Sequence, residues 1–119
     1  MRKEKTTPPL ITLGVHGYLR FNTPFLDIHN VRESQSILLG SLEDNKVLLK
    51  FLPDKPSNAY PLHRVRIQGK VTTLFAAISI FLYYYNFHSI IPSSGAIVIP
   101  YQTLEDIYNL TFPNTKEFP

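Results

Sequence analysis

The sequence predicts a small α+β domain in which a mostly antiparallel sheet of hairpins packs on one central apolar helix. Apolar and polar residues alternate near the N-terminus of the 119-residue chain, which is the period of half-buried strands. Turn-forming residues separate several such segments, as they do in hairpins. Residues 71–87 contain no charged residue, proline or glycine, and the length of this stretch favours a helix over a strand.

The length fits one domain, because two separate cores would each be too small to offset their conformational entropy. Hydrophobic residues make up 44% of the chain and charged residues 18%, so the composition favours a folded protein. We expect the domain to occupy residues 10–112. A mobile basic arm is predicted at residues 1–9, which end in two prolines, and a frayed tail at residues 113–119.

The first half of the chain predicts two hairpins and a short helix. In the first hairpin Gly14 and Gly17 bracket the turn, and the predicted inward residues are Ile11, Leu13, Val15, Leu19 and Phe21. A short helix should follow, with Asn22 or Thr23 as its N-cap, Pro24 in its first turn, and Phe25, Leu26 and Ile28 facing inward. Residues 36–42 and 46–52 should form the second hairpin around Glu43-Asp44-Asn45.

The second half predicts a strand at residues 60–68, the apolar helix at residues 71–87 and a short strand at residues 96–99. In the first of these strands Leu62, Arg64 and Arg66 share one face, while His63, Val65 and Ile67 share the other. Residues 103–112 fit either a last helix or a strand. The alternation of Tyr108, Leu110 and Phe112 favours the strand.

The apolar stretch also has to be weighed as a membrane span, since residues 71–104 contain no Asp, Glu, Lys or Arg. A span needs about 20 predominantly apolar residues, whereas this stretch is shorter and contains Thr, Ser, Asn and three consecutive tyrosines. We therefore expect no membrane span. A helix that is apolar on all faces packs in a core or against a second subunit, so homo-oligomerisation is a further prediction.

The residue inventory excludes several chemistries. The chain has no Cys, which rules out disulfides, thiolate metal sites and Cys nucleophiles and suits a cytoplasmic protein. Its four histidines lack the HxxxH and HExxH spacings, and no GxSxG, GxGxxG or GxxxxGK[ST] motif is present. We predict no catalytic residues, no metal, no cofactor, no small-molecule substrate and no enzymatic activity.

Basic residues on the predicted strands are the remaining functional signal, in a chain of net charge +3. If the strand faces coincide, lysines and arginines could neutralise phosphates while bases stack on tyrosine rings. The predicted nucleic-acid-binding residues are Tyr18, Arg20, Lys46, Lys50, Tyr60, Arg64, Arg66 and Lys70. One alternative is that these residues only solvate an exposed sheet. Another is a structural or assembly protein that self-associates through its aromatic helix or a sheet edge.

Overall fold

The computed structural model describes residues 7–113, in which ten strands and two short α-helices surround one hydrophobic core. The strands are β1 (Ile11–Gly14), β2 (Tyr18–Phe21), β3 (Ser36–Ser41), β4 (Lys46–Leu52), β5 (Tyr60–Pro61), β6 (His63–Ile67), β7 (Lys70–Ala77), β8 (Ala96–Val98), β9 (Tyr101–Leu104) and β10 (Ile107–Thr111). The helices are α1 (Thr23–His29) and α2 (Ser79–Tyr84). Short 3₁₀ turns lie at Val15–Gly17 and His88–Ile90.

The strands form two antiparallel sheets of five strands each. Sheet A has the order β6-β7-β2-β1-β8, and sheet B has the order β5-β3-β4-β10-β9. Their inner faces share one core, in which the Phe21 ring of sheet A lies 5.0 Å from the Phe51 ring of sheet B. The prediction of a small, mostly antiparallel domain is therefore confirmed.

Both predicted hairpins are present. β1 and β2 pair in the register Leu13 to Leu19, and β3 and β4 pair in the register Leu39 to Leu49. In the first turn Gly17 has φ of +77°, and a Cβ built there would lie 3.2 Å from the Ser79 backbone. This position therefore requires glycine both for its left-handed backbone and for the close approach of α2.

The short helix α1 forms as predicted, with Asn22 as its N-cap. The Asn22 side-chain oxygen accepts hydrogen bonds from the backbone N–H groups of Phe25 (3.0 Å) and Leu10 (2.9 Å). Phe25 and Leu26 are fully buried. The prediction that Ile28 faces inward is wrong, because its side chain lies on the solvent side of the helix.

The predicted central helix at residues 71–87 is wrong. Its first half is the strand β7, which lies between β6 and β2 in sheet A, and only Ser79–Tyr84 is α-helical. The inward residues Leu74 and Ala76 alternate with Thr73, Phe75 and Ala77. Because the outward side chains are also uncharged, the hydropathy of this segment does not show the alternation of a strand. Pairing with strands on both sides stabilises the extended conformation of this segment.

The predicted strand at residues 60–68 is divided between the two sheets. Buried Leu62 separates β5 at the edge of sheet B from β6 at the edge of sheet A. At the opposite edges, Ile99 and Pro100 connect β8 to β9 in the same way. The chain thus bridges the two sheets along both sides of the core.

The strand interpretation of the C-terminal segment is confirmed, because β9 and β10 form a hairpin around Glu105 and Asp106. The short strand predicted at residues 96–99 is also present as β8. Most of the predicted arm (1–9) and tail (113–119) lies outside the described residues. No helix within residues 7–113 has the length and apolarity needed to cross a membrane.

Candidate nucleic-acid interface

The outer face of sheet A, turned away from the core, carries one row of side chains that crosses all five strands. The registers align neighbouring residues from β8, β1, β2, β7 and β6 in turn. The row consists of Val98, Thr12, Arg20, Phe75 and His63. Since cross-strand neighbours on one face lie within side-chain contact, these residues form a continuous surface.

Phe75 is the centre of this surface. The Arg20 Cζ lies 5.2 Å from the Phe75 ring centroid, which is the distance of a cation–π contact. On the other side, the His63 ring lies 5.3 Å away at 30° to the Phe75 ring. Tyr18 meets Phe75 edge-on at 5.7 Å. We call Tyr18, Arg20, His63 and Phe75 the Phe75 cluster.

The strands of sheet A carry positively charged residues and no negatively charged ones. The cations are Arg20, Arg64, Arg66 and Lys70, and these strands contain no Asp or Glu. Residues 55–104 of the sequence contain no acidic residue at all. The acidic pairs lie instead in turns of sheet B, at Glu43-Asp44 and Glu105-Asp106. A ligand phosphate on the outer face of sheet A would therefore meet no carboxylate on that sheet's strands.

Arg64 does not share this face with Arg20. It pairs in register with Leu74, which points into the core, and its guanidinium donates hydrogen bonds to the backbone carbonyls of Ser34 and Arg32. Arg64 therefore holds the segment after α1 against β6. Its contacts are those of a structural residue.

Arg66 and Lys70 flank the tip of the β6–β7 hairpin, where Gln68 and Gly69 have positive φ. The register sets Lys70 opposite Ile67, which alternation places on the same face as His63. Arg66 lies opposite Val71 on the other face. Of the predicted basic residues, only Arg20 and Lys70 thus belong to the outer face of sheet A.

The remaining predicted residues lie in sheet B. Lys46 Nζ donates a hydrogen bond to Thr111 Oγ1 at 2.9 Å, and Lys50 Nζ lies 3.5 Å from Asp106 Oδ2. Tyr60 belongs to β5, and its ring packs edge-on against Phe81. The structure therefore divides the predicted basic face between two sheets.

Sequence reasoning missed Phe75 and His63. Alternation along β6 predicts that His63 lies on the face opposite Arg64, but nothing in the sequence connects that face to Arg20. The apolar stretch predicts a helix at Phe75. The usable signal was the alternation of Leu74 and Ala76 with Thr73, Phe75 and Ala77, which is weak because all five residues are uncharged.

A second aromatic cluster lies between α1 and sheet B and contains His29. His29 Nε2 lies 2.9 Å from the Tyr101 hydroxyl, and its ring packs against Phe25 and Tyr108. Burial lowers the pKa of His29 and raises the pKa of Tyr101 and of Tyr108. These shifts favour the neutral forms, so the cluster serves packing between α1 and sheet B.

Within residues 7–113, no group of three or more His, Asp or Glu side chains is arranged to hold a metal ion. An apolar depression of about 250 Å³ lies on sheet B, lined chiefly by Leu38, Gly40, Leu48 and Ile107. Lys50 is the one charged residue in its lining, whereas small-molecule sites combine apolar walls with several convergent polar groups.

No family model, curated protein or solved structure matches this chain. The fold and the site define a two-sheet β domain with a cationic, aromatic outer face on one sheet.

Proposed function

We propose that the protein is a non-enzymatic nucleic-acid-binding module that uses the outer face of sheet A. The observation that carries this proposal is the cross-strand arrangement of Arg20, Phe75 and His63 on a sheet whose strands contain no acidic residue. This face differs from the one predicted from the sequence. It retains Tyr18, Arg20 and Lys70 and adds Phe75 and His63.

The chemistry of the Phe75 cluster suits both parts of a nucleotide. Contact with the Phe75 ring orients the Arg20 guanidinium while leaving the residue exposed, so its N–H groups can donate to a phosphate. His63 is exposed and Tyr18 and Phe75 are half-buried, and together they offer aromatic surface to bases. Arg20 and Lys70 supply the positive charge that attracts the phosphate backbone of the nucleic acid.

Fluorescence anisotropy with labelled DNA and RNA oligonucleotides tests the proposal. We expect binding at low salt that weakens as salt is added, because phosphate contacts release counterions. Arg20→Ala should weaken binding, whereas Lys50→Ala should leave it nearly unchanged. Both variants remove one positive charge, so the comparison isolates the position of that charge. Absence of binding at low salt, or equal losses in both variants, would overturn the proposal.

A structural or assembly role is the second candidate, and α2 is the observation that favours it. Ile80 is 77% exposed and Tyr84 is 76% exposed, and Tyr83 lies beside them on the same short helix. Since residues 71–104 carry no Asp, Glu, Lys or Arg, two copies could meet through this surface without charge repulsion. The partner in this case is a second copy of the chain.

Sedimentation velocity over a range of protein concentrations tests self-association. An α2 interface predicts a defined oligomer that survives high salt and is weakened by Tyr84→Ser. Ile28→Ser, at an exposed apolar position on α1, is the matched control. A monomer at all concentrations excludes this role.

A further inference from the structure

The outer face of sheet A combines few charges with much exposed apolar surface. By register, Arg20 and Lys70 are its only Lys or Arg residues among the described strands. Val98 is 55% exposed at one end of the row, and Val65 and Ile67 are exposed on β6 at the other. A ligand that fits this face must therefore cover apolar side chains as well as meet cations.

Double-stranded nucleic acid fits this surface poorly. A duplex presents phosphates on its outside, and affinity for it depends largely on how many of these phosphates Lys and Arg side chains neutralise. Reading a major groove also requires a helix or a two-stranded ribbon with polar side chains. α2 has no charged residue, and the only acidic or basic residues of α1 are Asp27 and His29. The β6–β7 ribbon presents the exposed apolar side chains Val65 and Ile67 beside Lys70 on its outer face.

Unpaired bases fit the same surface well. Their flat apolar faces can cover Val98 and Val65 and stack on the exposed His63 ring and the half-buried ring of Phe75, while the phosphate backbone follows Arg20. The row crosses five strands, and a strand spacing of about 4.8 Å gives a length of roughly 19 Å. Single-strand sites on comparable small β domains take about 4 nucleotides or more, so the row offers space for a short segment.

We infer that the ligand is single-stranded nucleic acid, lying across the strands of sheet A from β8 to β6 with its bases against the Phe75 cluster. This inference rests on the proposed function and specifies its substrate class. Stacking and apolar contact then supply most of the binding affinity, and phosphate contacts supply the smaller part.

The test compares one labelled 12-nucleotide strand with the duplex of the same sequence under identical low-salt conditions. We expect the single strand to bind at least about tenfold more tightly. Its affinity should fall only shallowly with salt, with a log–log slope of about −1.4 for two phosphate contacts. Phe75→Leu, which keeps an apolar side chain but removes the aromatic ring, should weaken single-strand binding about tenfold.

The possible failures are distinguishable. Equal or tighter duplex binding overturns the single-strand inference while the proposed function stands. An unchanged affinity in Phe75→Leu, with thermal unfolding showing a folded variant, also overturns the inference. If neither the single strand nor the duplex binds, both the proposed function and the single-strand inference are wrong.

Discussion

The guanidinium of Arg20 lies over the ring of Phe75, with 5.2 Å between Cζ and the ring centroid. The two residues belong to neighbouring strands and are direct cross-strand partners, so the backbone register itself creates the contact. This pairing joins a permanent cation to an aromatic surface on a face of the sheet that is open to solvent.

Arg20→Ala should have a small effect on stability and a larger one on binding. Loss of the cation–π contact should lower the free energy of unfolding by about 0.5–1 kcal/mol, as at other exposed sites. Loss of one phosphate contact should reduce the salt slope for a single strand by about 0.7. Urea denaturation and anisotropy at several salt concentrations measure the two effects. An unchanged salt slope would remove Arg20 from the interface.

Arg64→Ala should show the reverse pattern. Its guanidinium bonds the carbonyls of Ser34 and Arg32, so truncation should cost about 1–3 kcal/mol of stability by leaving these acceptors without their donor. Because Arg64 shares the inner face with Leu74, oligonucleotide affinity of the folded variant should be nearly unchanged. A binding loss as large as that of Arg20→Ala contradicts this assignment.

Gly17→Ala should destabilise the protein by about 1–3 kcal/mol. The residue has φ of +77°, and the added Cβ would lie 3.2 Å from Ser79, so both the backbone and α2 would have to shift. Gly40 is the matched control, because a Cβ added there meets nothing within 4 Å. Chemical denaturation of both alanine variants checks the comparison. Equal effects at the two positions would show that neither the positive φ of Gly17 nor its contact with α2 matters for stability.

Acidification should destabilise the protein through His29. Burial lowers its pKa in the folded state, so the unfolded state binds the proton more readily. The contribution to stability is complete above the unfolded-state pKa of about 6.5 and is lost as the pH falls below it toward the folded-state value. Urea denaturation between pH 7.5 and pH 5 should show this loss.

His29→Phe should reduce that pH dependence, because phenylalanine keeps an aromatic ring beside Phe25 and Tyr108 and cannot be protonated. The variant also lacks the 2.9 Å hydrogen bond to Tyr101 and is expected to be somewhat less stable at neutral pH. A variant with the full pH dependence of the original chain rules out His29 as its source.

Local patterns in the sequence predict much of the fold. The hairpin around Gly14 and Gly17 follows from alternation and glycine, and α1 follows from Asn22 and Pro24. β7 could not be predicted in this way, because a strand with uncharged residues on both faces has the same hydropathy as a buried helix. The division of residues 60–68 at Leu62 could not be predicted either, because it depends on which sheet each half joins.

The sequence predicts the types of residue in the candidate site but not which residues belong to it. Cations and aromatic residues on strands were expected, and Tyr18, Arg20 and Lys70 remain. Lys46, Lys50 and Tyr60 lie in sheet B, and Arg64 and Arg66 occupy the opposite face of β6. The side chains of neighbouring strands coincide only through register, and a shift of one residue moves every side chain to the other face.

The sequence by itself determined the antiparallel class, the hairpin turns and the cap of α1, because these depend on residues close together in the chain. Its composition alone excluded cysteine chemistry. Only the tertiary structure decided that residues 70–77 are extended and that Arg20, Phe75 and His63 meet. Both depend on hydrogen bonds between strands distant in sequence, whose register and neighbours no local pattern specifies.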